Sequence, residues 1–136
     1  YIVAPRTASS TGKEIILTQT DIRMLQQSKA AIRATIDLVL RKSCSSSNEI
    51  NKLFLTGTFG SGLLIEDAYS IGMLPRFANA SLTQSRNGAI QGAGLLLNRE
   101  YREIAEQMLQ QLNYVELMDN EEFNQLFFES LPFPSR

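Results

Sequence analysis

The sequence predicts one α/β domain, in which helices pack against a small sheet. Apolar residues recur at helical spacing in several segments, and short runs of strand-forming residues lie between those segments. One such run, at residues 53–55, continues directly into a glycine-rich stretch that precedes another helical segment. The 136 residues are enough for one domain with its own core, so we predict a single domain over residues 1–136.

Composition and charge exclude several classes of protein. Hydrophobic residues make up 43% of the chain and charged residues 20%, which is typical of a globular domain. The 13 basic and 14 acidic residues give a net charge of −1, which argues against a nucleic-acid partner. No apolar run approaches the roughly 18 to 20 residues that a membrane-spanning helix needs, so we expect no membrane partner either. The chain begins at Tyr1 without a signal-peptide pattern, and we expect it to be excised from a longer protein.

The chain lacks the residues of several common catalytic and metal sites. It contains no histidine, which excludes Ser-His-Asp and Cys-His catalysis. Its one cysteine, Cys44, cannot form an internal disulfide and is compatible with a reducing compartment, so we expect a cytoplasmic protein. Cys44 also has no basic or histidine neighbour that would mark it as reactive. We predict no catalytic residue and no metal site within this chain.

The N-terminal third is predicted to form a hairpin and a long helix. Residues 1–5 and 14–18 are rich in strand-forming side chains, and small polar residues typical of a turn separate them. Thr18 and Asp21 have the spacing of a capping box, and apolar residues then recur at helical spacing. We therefore predict a helix over residues 19–42.

Polar residues interrupt the apolar face of this helix. Gln26 and Lys29 lie between the apolar residues Leu25 and Ile32. Arg33 follows Lys29 by four residues and therefore lies on the same face. These side chains have two interpretations, which are the solvated edge of an amphipathic helix and the polar lining of a cleft.

The glycine-rich stretch after the predicted strand is the first candidate for ligand binding. Residues 53–62 combine that strand with Gly57, Gly60 and Gly62. Glycines after a strand let the backbone adopt positive φ and approach a ligand closely. The alternative is a tight turn between the strand and a helix predicted at residues 63–71. The three glycines match neither a complete phosphate loop nor a dinucleotide-binding fingerprint.

A second glycine-rich segment begins at Asn87, after a weak strand predicted at residues 80–84. Gly88 and Gly92 lie four residues apart in a predicted helix, so one face of that helix is almost bare backbone. Each glycine costs a helix about 1 kcal/mol relative to alanine. Close approach of another helix or of a ligand would offset this cost.

The C-terminal part is predicted to contain two more helices and a strand. Apolar residues at helical spacing indicate an amphipathic helix over residues 101–112, and a short strand is predicted at residues 114–117. Asp119 and Glu122 again have capping-box spacing, ahead of a last helix that ends before Pro132.

Five stretches occur in the order typical of one protein family. They are TQTDIR with SKAAIRA in the long helix, LTGTFG at residues 55–60, IGMLP at residues 71–75, NGAIQGA at residues 87–93, and VEL ahead of the closing PFP. From about Glu14 onward, the chain resembles the C-terminal domain of the reductive activators of corrinoid proteins. These activators are members of the superfamily of acetate and sugar kinases, Hsp70 and actin (ASKHA).

The resemblance implies one lobe of an actin-, Hsp70- and sugar-kinase-like fold of the ribonuclease-H type. It also implies a parent protein with an N-terminal iron–sulfur domain, which carries the cluster outside this chain. Such a parent couples hydrolysis of ATP, with Mg, to one-electron reduction of a cobalt(II) corrinoid on a methyl-transfer protein. The implied partners are the corrinoid protein of a methyltransferase system, the remaining domains of the parent and, in a homodimer, a second copy. The fragment alone is not expected to catalyse.

The resemblance places nucleotide contacts in three segments. The glycine-rich stretch would be an adenosine loop, formed by Gly57, Thr58, Phe59 and Gly60. Three polar side chains of the long helix would flank the base and the ribose, namely Gln26, Lys29 and Arg33. The helix over residues 87–93, which begins with Asn87, would match the hinge between the two lobes of the superfamily fold.

One residue departs from the family pattern. The family has a glycine where this chain has Thr58, and a β-branched residue tolerates positive φ poorly. Either the loop adopts a different conformation, or adenosine binding is weaker or lost. Thr58 therefore favours an alternative function, a non-catalytic interaction or scaffold module that keeps the actin-like half-fold without nucleotide.

A third hypothesis is an activator of a radical dehydratase from the same superfamily. Such activators resemble this chain only in the glycine loop and the hinge helix, and they need bridging cysteines that this sequence lacks.

Overall fold

The computed structural model describes residues 1–43 and 46–135, and mixes strands with helices as predicted. The strands are β1 (Ile2–Ala4), β2 (Ile15–Ile16), β3 (Lys52–Thr56) and β4 (Ser81–Ser85). The α-helices are α1 (Gln19–Lys42), α2 (Gly57–Gly62), α3 (Ile65–Ser70), α4 (Gly88–Leu95), α5 (Arg99–Leu109) and α6 (Glu121–Ser130). The α/β fold class is confirmed, whereas the expectations about Cys44 concern a residue outside the described part of the chain.

The N-terminal hairpin and the long helix form as predicted. Strands β1 and β2 pair antiparallel, with Ile2 opposite Ile16. At the start of α1, the backbone N–H of Thr18 donates to Oδ2 of Asp21 at 2.8 Å, and the backbone N–H of Asp21 donates to Oγ1 of Thr18 at 3.1 Å. This capping box satisfies amides that have no partner inside the helix. Helix α1 therefore covers the predicted range, 19–42.

Strands β3 and β4 form a parallel pair, which confirms the weak strand predicted near residues 80–84. In this register Leu55 lies opposite Gln84, and Thr56 lies opposite Ser85. Because the strands are parallel, their carboxyl ends meet at one edge of the sheet. That edge is where the chain enters α2 and approaches α4.

The segment after β3 differs from the prediction of a turn followed by one helix at residues 63–71. Helix α2 begins at Gly57, directly after the strand, and a shorter helix α3 follows at Ile65–Ser70. A positive φ of 84° at Gly57 lets the chain pass from strand to helix within one residue. Leu63 and Leu64 have extended backbone angles, which separate the two helices.

Helix α1 connects two apolar clusters. The first joins α1 to α6 through three buried residues, Ala34, Leu38 and Leu126. In the second, the half-buried side chains of Ile32 and Ile36 in α1 pack against three buried residues of α3 and the segment after it, Ala68, Met73 and Leu74. Because side chains on two faces of α1 pack into these clusters, that helix is the centre of the core.

The strand predicted at residues 114–117 is wrong, because these residues pair with no strand in the part of the chain that the structure describes. Val115 and Leu117 instead pack their side chains against the cluster between α1 and α6. Alternating apolar residues predict an extended segment, but they do not reveal whether a neighbouring strand is available.

The capping box predicted from Asp119 and Glu122 is also wrong. Asn120 caps α6, since its Oδ1 accepts a hydrogen bond from the backbone N–H of Phe123 at 3.0 Å. Asp119 has a positive φ of 57° and turns the chain into this cap. The last helix itself forms where the sequence predicts it.

Helices α4 and α5 expose many apolar side chains. Exposed fractions reach 68% at Ile90 and 65% at Leu109. Neither of the two core clusters includes a described residue of α4 or α5. An apolar groove of about 330 Å³ runs between the two helices, past Gly92 and Met108. Within the described ranges, no helix has the length and apolar character that crossing a membrane requires.

Candidate functional site

The junction between β3 and α2 presents bare backbone. Gly57 has a φ of 84°, a conformation that residues with side chains adopt rarely. A Cβ added to Gly57 would meet no atom of the described residues within 4 Å, apart from its chain neighbours and the backbone of its own helix. The backbone therefore turns sharply here and also faces open space, which is what close approach of a ligand requires.

Thr58 does not need the positive φ that its place in the family pattern suggested. It is an exposed residue of α2, and Asp119 is the one non-glycine residue with positive φ among those described. The positive φ falls on Gly57, one residue earlier, and Thr58 is accommodated in a right-handed helix. The torsional argument against nucleotide binding, which favoured a scaffold module, therefore does not hold.

An apolar cavity of about 230 Å³ lies beside α2. Phe59 and Gly60 line it together with Ile32 of α1. The side chain of Phe59 stays 66% exposed. Gly60 packs closely, since a Cβ there would lie 3.3 Å from the carbonyl carbon of Leu55. An exposed aromatic ring beside an apolar wall suits a planar ligand.

Gln84 of β4 holds α2 against the sheet. Its Nε2 donates hydrogen bonds to the carbonyl oxygens of Gly60, at 2.9 Å, and Leu63, at 3.0 Å. These carbonyls lie at the C-terminal end of α2, where helical partners are missing. Sequence reasoning missed Gln84, because nothing in a weak strand signals a contact with residues 21 and 24 positions earlier.

Lys29 lies inside the protein rather than on a solvated edge, with 1% of its surface exposed. Its Nζ donates to the carbonyl oxygens of Ser130, at 2.6 Å, and Pro132, at 2.5 Å. The ammonium also lies 5.3 Å from the centre of the Phe133 ring. Burial lowers the pKa of Lys29, and the nearby charge of Arg33 lowers the pKa further. Lys29 therefore fastens the C-terminal segment to α1.

Arg33 lies beside Lys29 and pairs with Asp37, with 2.7 Å between Nε and Oδ2. These three residues line an open cavity of about 260 Å³. Gln26, half-buried and one turn before Lys29, lines neither this cavity nor the apolar cavity. The structure thus brings Lys29 and Arg33 together, and it places them in a different cavity from Phe59 and Gly60.

Asn87 caps the glycine-rich helix α4 beside the β3–α2 junction. Its Oδ1 accepts a hydrogen bond from the backbone N–H of Ile90 at 3.1 Å. Gly88, the first residue of α4, lies so close to Thr56 that a Cβ added to Gly88 would come within 2.9 Å of Cγ2 of Thr56. Asn87 therefore fixes the start of α4 next to the residue that precedes Gly57.

The described residues include no group of three or more histidine, cysteine, aspartate or glutamate side chains that could hold a metal ion. The groups around the β3–α2 junction are instead backbone, amide, hydroxyl and apolar groups. Groups of this kind recognise an uncharged, largely planar part of a ligand through hydrogen bonds and contact area.

Comparisons with known proteins place the chain among relatives. A family model described as the C-terminal domain of RACo, the ASKHA domain, matches residues 1–136. The chain is 29% identical over 123 residues to the corrinoid activation enzyme RamQ of Eubacterium limosum. This match covers 90% of this chain and 21% of RamQ. The structure matches a reductive activator for corrinoid, iron–sulfur protein with a TM-score of 0.79 and 28% identity, over 98% of this chain and 22% of the activator.

The chain spans about a fifth of the length of these two relatives. The matched family agrees with the one that the five sequence stretches resemble, so the resemblance is confirmed. Because the family model covers the chain from end to end, we conclude that the chain belongs to the family of C-terminal ASKHA domains of RACo-type reductive activators.

Proposed function

We propose that this chain is one lobe of the nucleotide cleft of an ATP-dependent reductive activator. In this proposal the chain is the C-terminal domain of a longer iron–sulfur protein. The observation that carries it is the β3–α2 junction, where Gly57 leaves its backbone open to a ligand. Ligands of open α/β sheets usually bind at the carboxyl ends of parallel strands, and this junction lies at such an end.

The residues around the junction fit an adenosine group. Gly57 lets a nucleoside approach the backbone without meeting a Cβ. The exposed ring of Phe59 provides a stacking surface, and the hydroxyl of Thr58 is an exposed hydrogen-bonding group next to it. We propose Gly57, Thr58, Phe59 and Gly60 as the adenosine-binding residues.

Helices α1 and α4 would supply the outer parts of the proposed site, with Lys29 and Arg33 of α1 acting from the cavity next to the one beside α2. Arg33 has five N–H donors, of which the bond to Asp37 uses one, and Gln26 offers a half-buried amide. Lys29 would contribute positive charge from a fixed position, since two carbonyls already hold its ammonium. Asn87 would act through α4, which it caps beside the junction.

The chemistry beyond nucleoside binding belongs, in this proposal, to the complete protein. ATP, when bound with Mg, would supply the free energy of hydrolysis for reducing a cobalt(II) corrinoid on a methyl-transfer corrinoid protein. The residues of this chain bind and orient the nucleoside, and we expect no hydrolysis by this chain alone. Phosphate contacts and the iron–sulfur cluster would lie in the remaining domains. We further propose a cytoplasmic protein, with the corrinoid protein and a homodimer mate as partners.

Calorimetric titration of ATP and ADP into the full-length protein tests the proposal. We expect the wild type to bind both, and we expect Gly57→Val to raise the dissociation constant by about tenfold or more, which is about 1.4 kcal/mol. Valine tolerates the φ of 84° poorly and also projects a branched side chain toward the ligand.

The matched control is Gly12→Val. Gly12 has a φ of 66° and open space around its Cβ position, but it lies between β1 and β2. The backbone strain is therefore similar, and nucleotide affinity should not change. A full-length wild type that binds neither ATP nor ADP would contradict the proposal.

A further inference from the structure

We propose that Gln84 is the positioning residue that holds α2 in the conformation that binds nucleotide, an inference that rests on the proposed function. Helix α2 has only six residues, and three of them, Gly57, Gly60 and Gly62, are glycines. Helices shorter than about 12 residues are marginal on their own, and each glycine costs about 1 kcal/mol relative to alanine. Contacts from outside must therefore hold α2.

Local sequence does little to hold the helix. Thr56, the N-cap residue, makes no side-chain capping bond, and the first turn contains no acidic residue. Within α2, the side-chain hydroxyl of Ser61 donates to the carbonyl of Thr58 at 3.2 Å, a bond that stays inside the helix. Neither end is fastened by these contacts.

Two facing residues of the parallel pair fasten α2 instead. Leu55 of β3 packs under Gly60, where an added Cβ would lie 3.3 Å from the Leu55 carbonyl carbon. Gln84, which lies opposite Leu55 in the sheet, donates both hydrogens of its amide to the carbonyls of Gly60 and Leu63. Leu55 supports the helix by packing against Gly60, and Gln84 holds the C-terminal end of the helix through two directional hydrogen bonds.

The consequence for binding follows from the residues that α2 carries. Gly57, Thr58 and Phe59 all lie on this helix, so their relative positions depend on how well α2 is held. If α2 samples other conformations, the apparent affinity is the intrinsic affinity multiplied by the fraction of molecules that remain competent to bind. Loss of the two Gln84 bonds should therefore weaken binding without removing any ligand contact.

Gln84→Met in the full-length protein is the direct test, because methionine has a similar length and no amide donor. We expect a dissociation constant for ADP about tenfold higher than in the wild type, from the loss of two hydrogen bonds. Hydrogen exchange of the ligand-free protein should show faster exchange of the α2 amides and unchanged exchange in α1. The control is Gln27→Met, the same substitution at an exposed position of α1, which should change neither quantity.

A second variant, Gln84→Glu, keeps the size of the side chain and directs a carboxylate at two carbonyl oxygens, so it should weaken binding more than Gln84→Met does. Unchanged exchange in α2, or faster exchange with an unchanged dissociation constant, would overturn the inference. If the wild type binds no nucleotide, the proposed function fails, and the exchange of α2 in the variants still decides whether Gln84 holds the helix.

Discussion

Thr56 and Gly88 pack so closely that no methyl group fits between them, since a Cβ added to Gly88 would lie 2.9 Å from Cγ2 of Thr56. At Gly92, one turn further along α4, an added Cβ would meet no atom of the described residues within 4 Å beyond its chain neighbours and its own helix backbone. The sequence left two explanations for the glycine-rich helix, which were close packing and a ligand. Packing accounts for Gly88, and it does not account for Gly92.

This difference predicts opposite effects of the same substitution. Gly88→Ala should lower the free energy of unfolding by about 1 to 3 kcal/mol, because the side chain of Thr56 must move. Gly92→Ala should raise it by about 1 kcal/mol, because alanine favours the helix and meets no neighbour. Urea unfolding of the two variants measures both changes. Equal effects on stability would show that the contact between Thr56 and Gly88 is unimportant.

Removing the buried ammonium of Lys29 should destabilise the C-terminal segment. Lys29→Met keeps the apolar part of the side chain and leaves the carbonyls of Ser130 and Pro132 without this donor. An acceptor that loses a buried donor costs about 1 to 3 kcal/mol, so for the two carbonyls together we expect the free energy of unfolding in urea to fall by about 2 to 6 kcal/mol. Lys13→Met, at an exposed lysine, is the control and should have little effect. Equal stability of the two variants would contradict the structural role of Lys29.

The capping box of α1 predicts a dependence of stability on pH. Hydrogen bonds from the hydroxyl and the backbone of Thr18 lower the pKa of Asp21 below its usual 3.8. A carboxylate whose pKa is lower in the folded state stabilises the protein above its unfolded-state pKa, and this contribution is lost as pH falls through the folded-state pKa. Asp21→Asn should therefore reduce stability at neutral pH, and the difference from the wild type should shrink below pH 3.8.

Unfolding by urea at neutral and acidic pH measures this difference. Glu106→Gln, which removes an exposed carboxylate on α5, is the control for a general effect of net charge. A difference between Asp21→Asn and the wild type that stays constant with pH would show that the carboxylate charge is not what the cap uses.

Local signals in the sequence predicted the elements that depend on local contacts. The Thr18–Asp21 capping box and the spacing of apolar residues gave the bounds of α1, because both its cap and its helical bonds join near neighbours. The prediction of a strand at residues 114–117 was wrong because strand pairing depends on a distant partner. The side chains of Val115 and Leu117 pack against the core without such a partner. Asp119 and Asn120 are a second example, since their spacing in the sequence does not reveal that Asp119 turns the chain and Asn120 caps the helix.

The part of the candidate site that could be predicted from the sequence is the part marked by a glycine. Gly57 was singled out from the sequence, and its positive φ is present in the structure. The helical conformation of Thr58 was not predicted, because contacts made by Gln84 and Leu55 hold α2 from outside. The interior position of Lys29 was missed for the same reason, since its partners lie 101 and 103 residues away.

Ser85 supplies a last prediction at the same edge of the sheet. Its Oγ is buried, and no described residue forms a hydrogen bond with it. A buried hydroxyl without a partner costs about 1 to 3 kcal/mol, so Ser85→Ala should raise the free energy of unfolding by about 1 kcal/mol. Ser81→Ala is the matched control in the same strand, because the Ser81 hydroxyl donates to the carbonyl of Asn51 at 3.3 Å and its removal should not stabilise the protein. A loss of stability in Ser85→Ala would mean that the hydroxyl already has a partner in the free protein, such as a bound water. Ser85 lies opposite Thr56 in the sheet, and Thr56 directly precedes Gly57. A gain in stability would therefore mean that a hydroxyl next to the proposed nucleotide site still has its hydrogen-bonding capacity available.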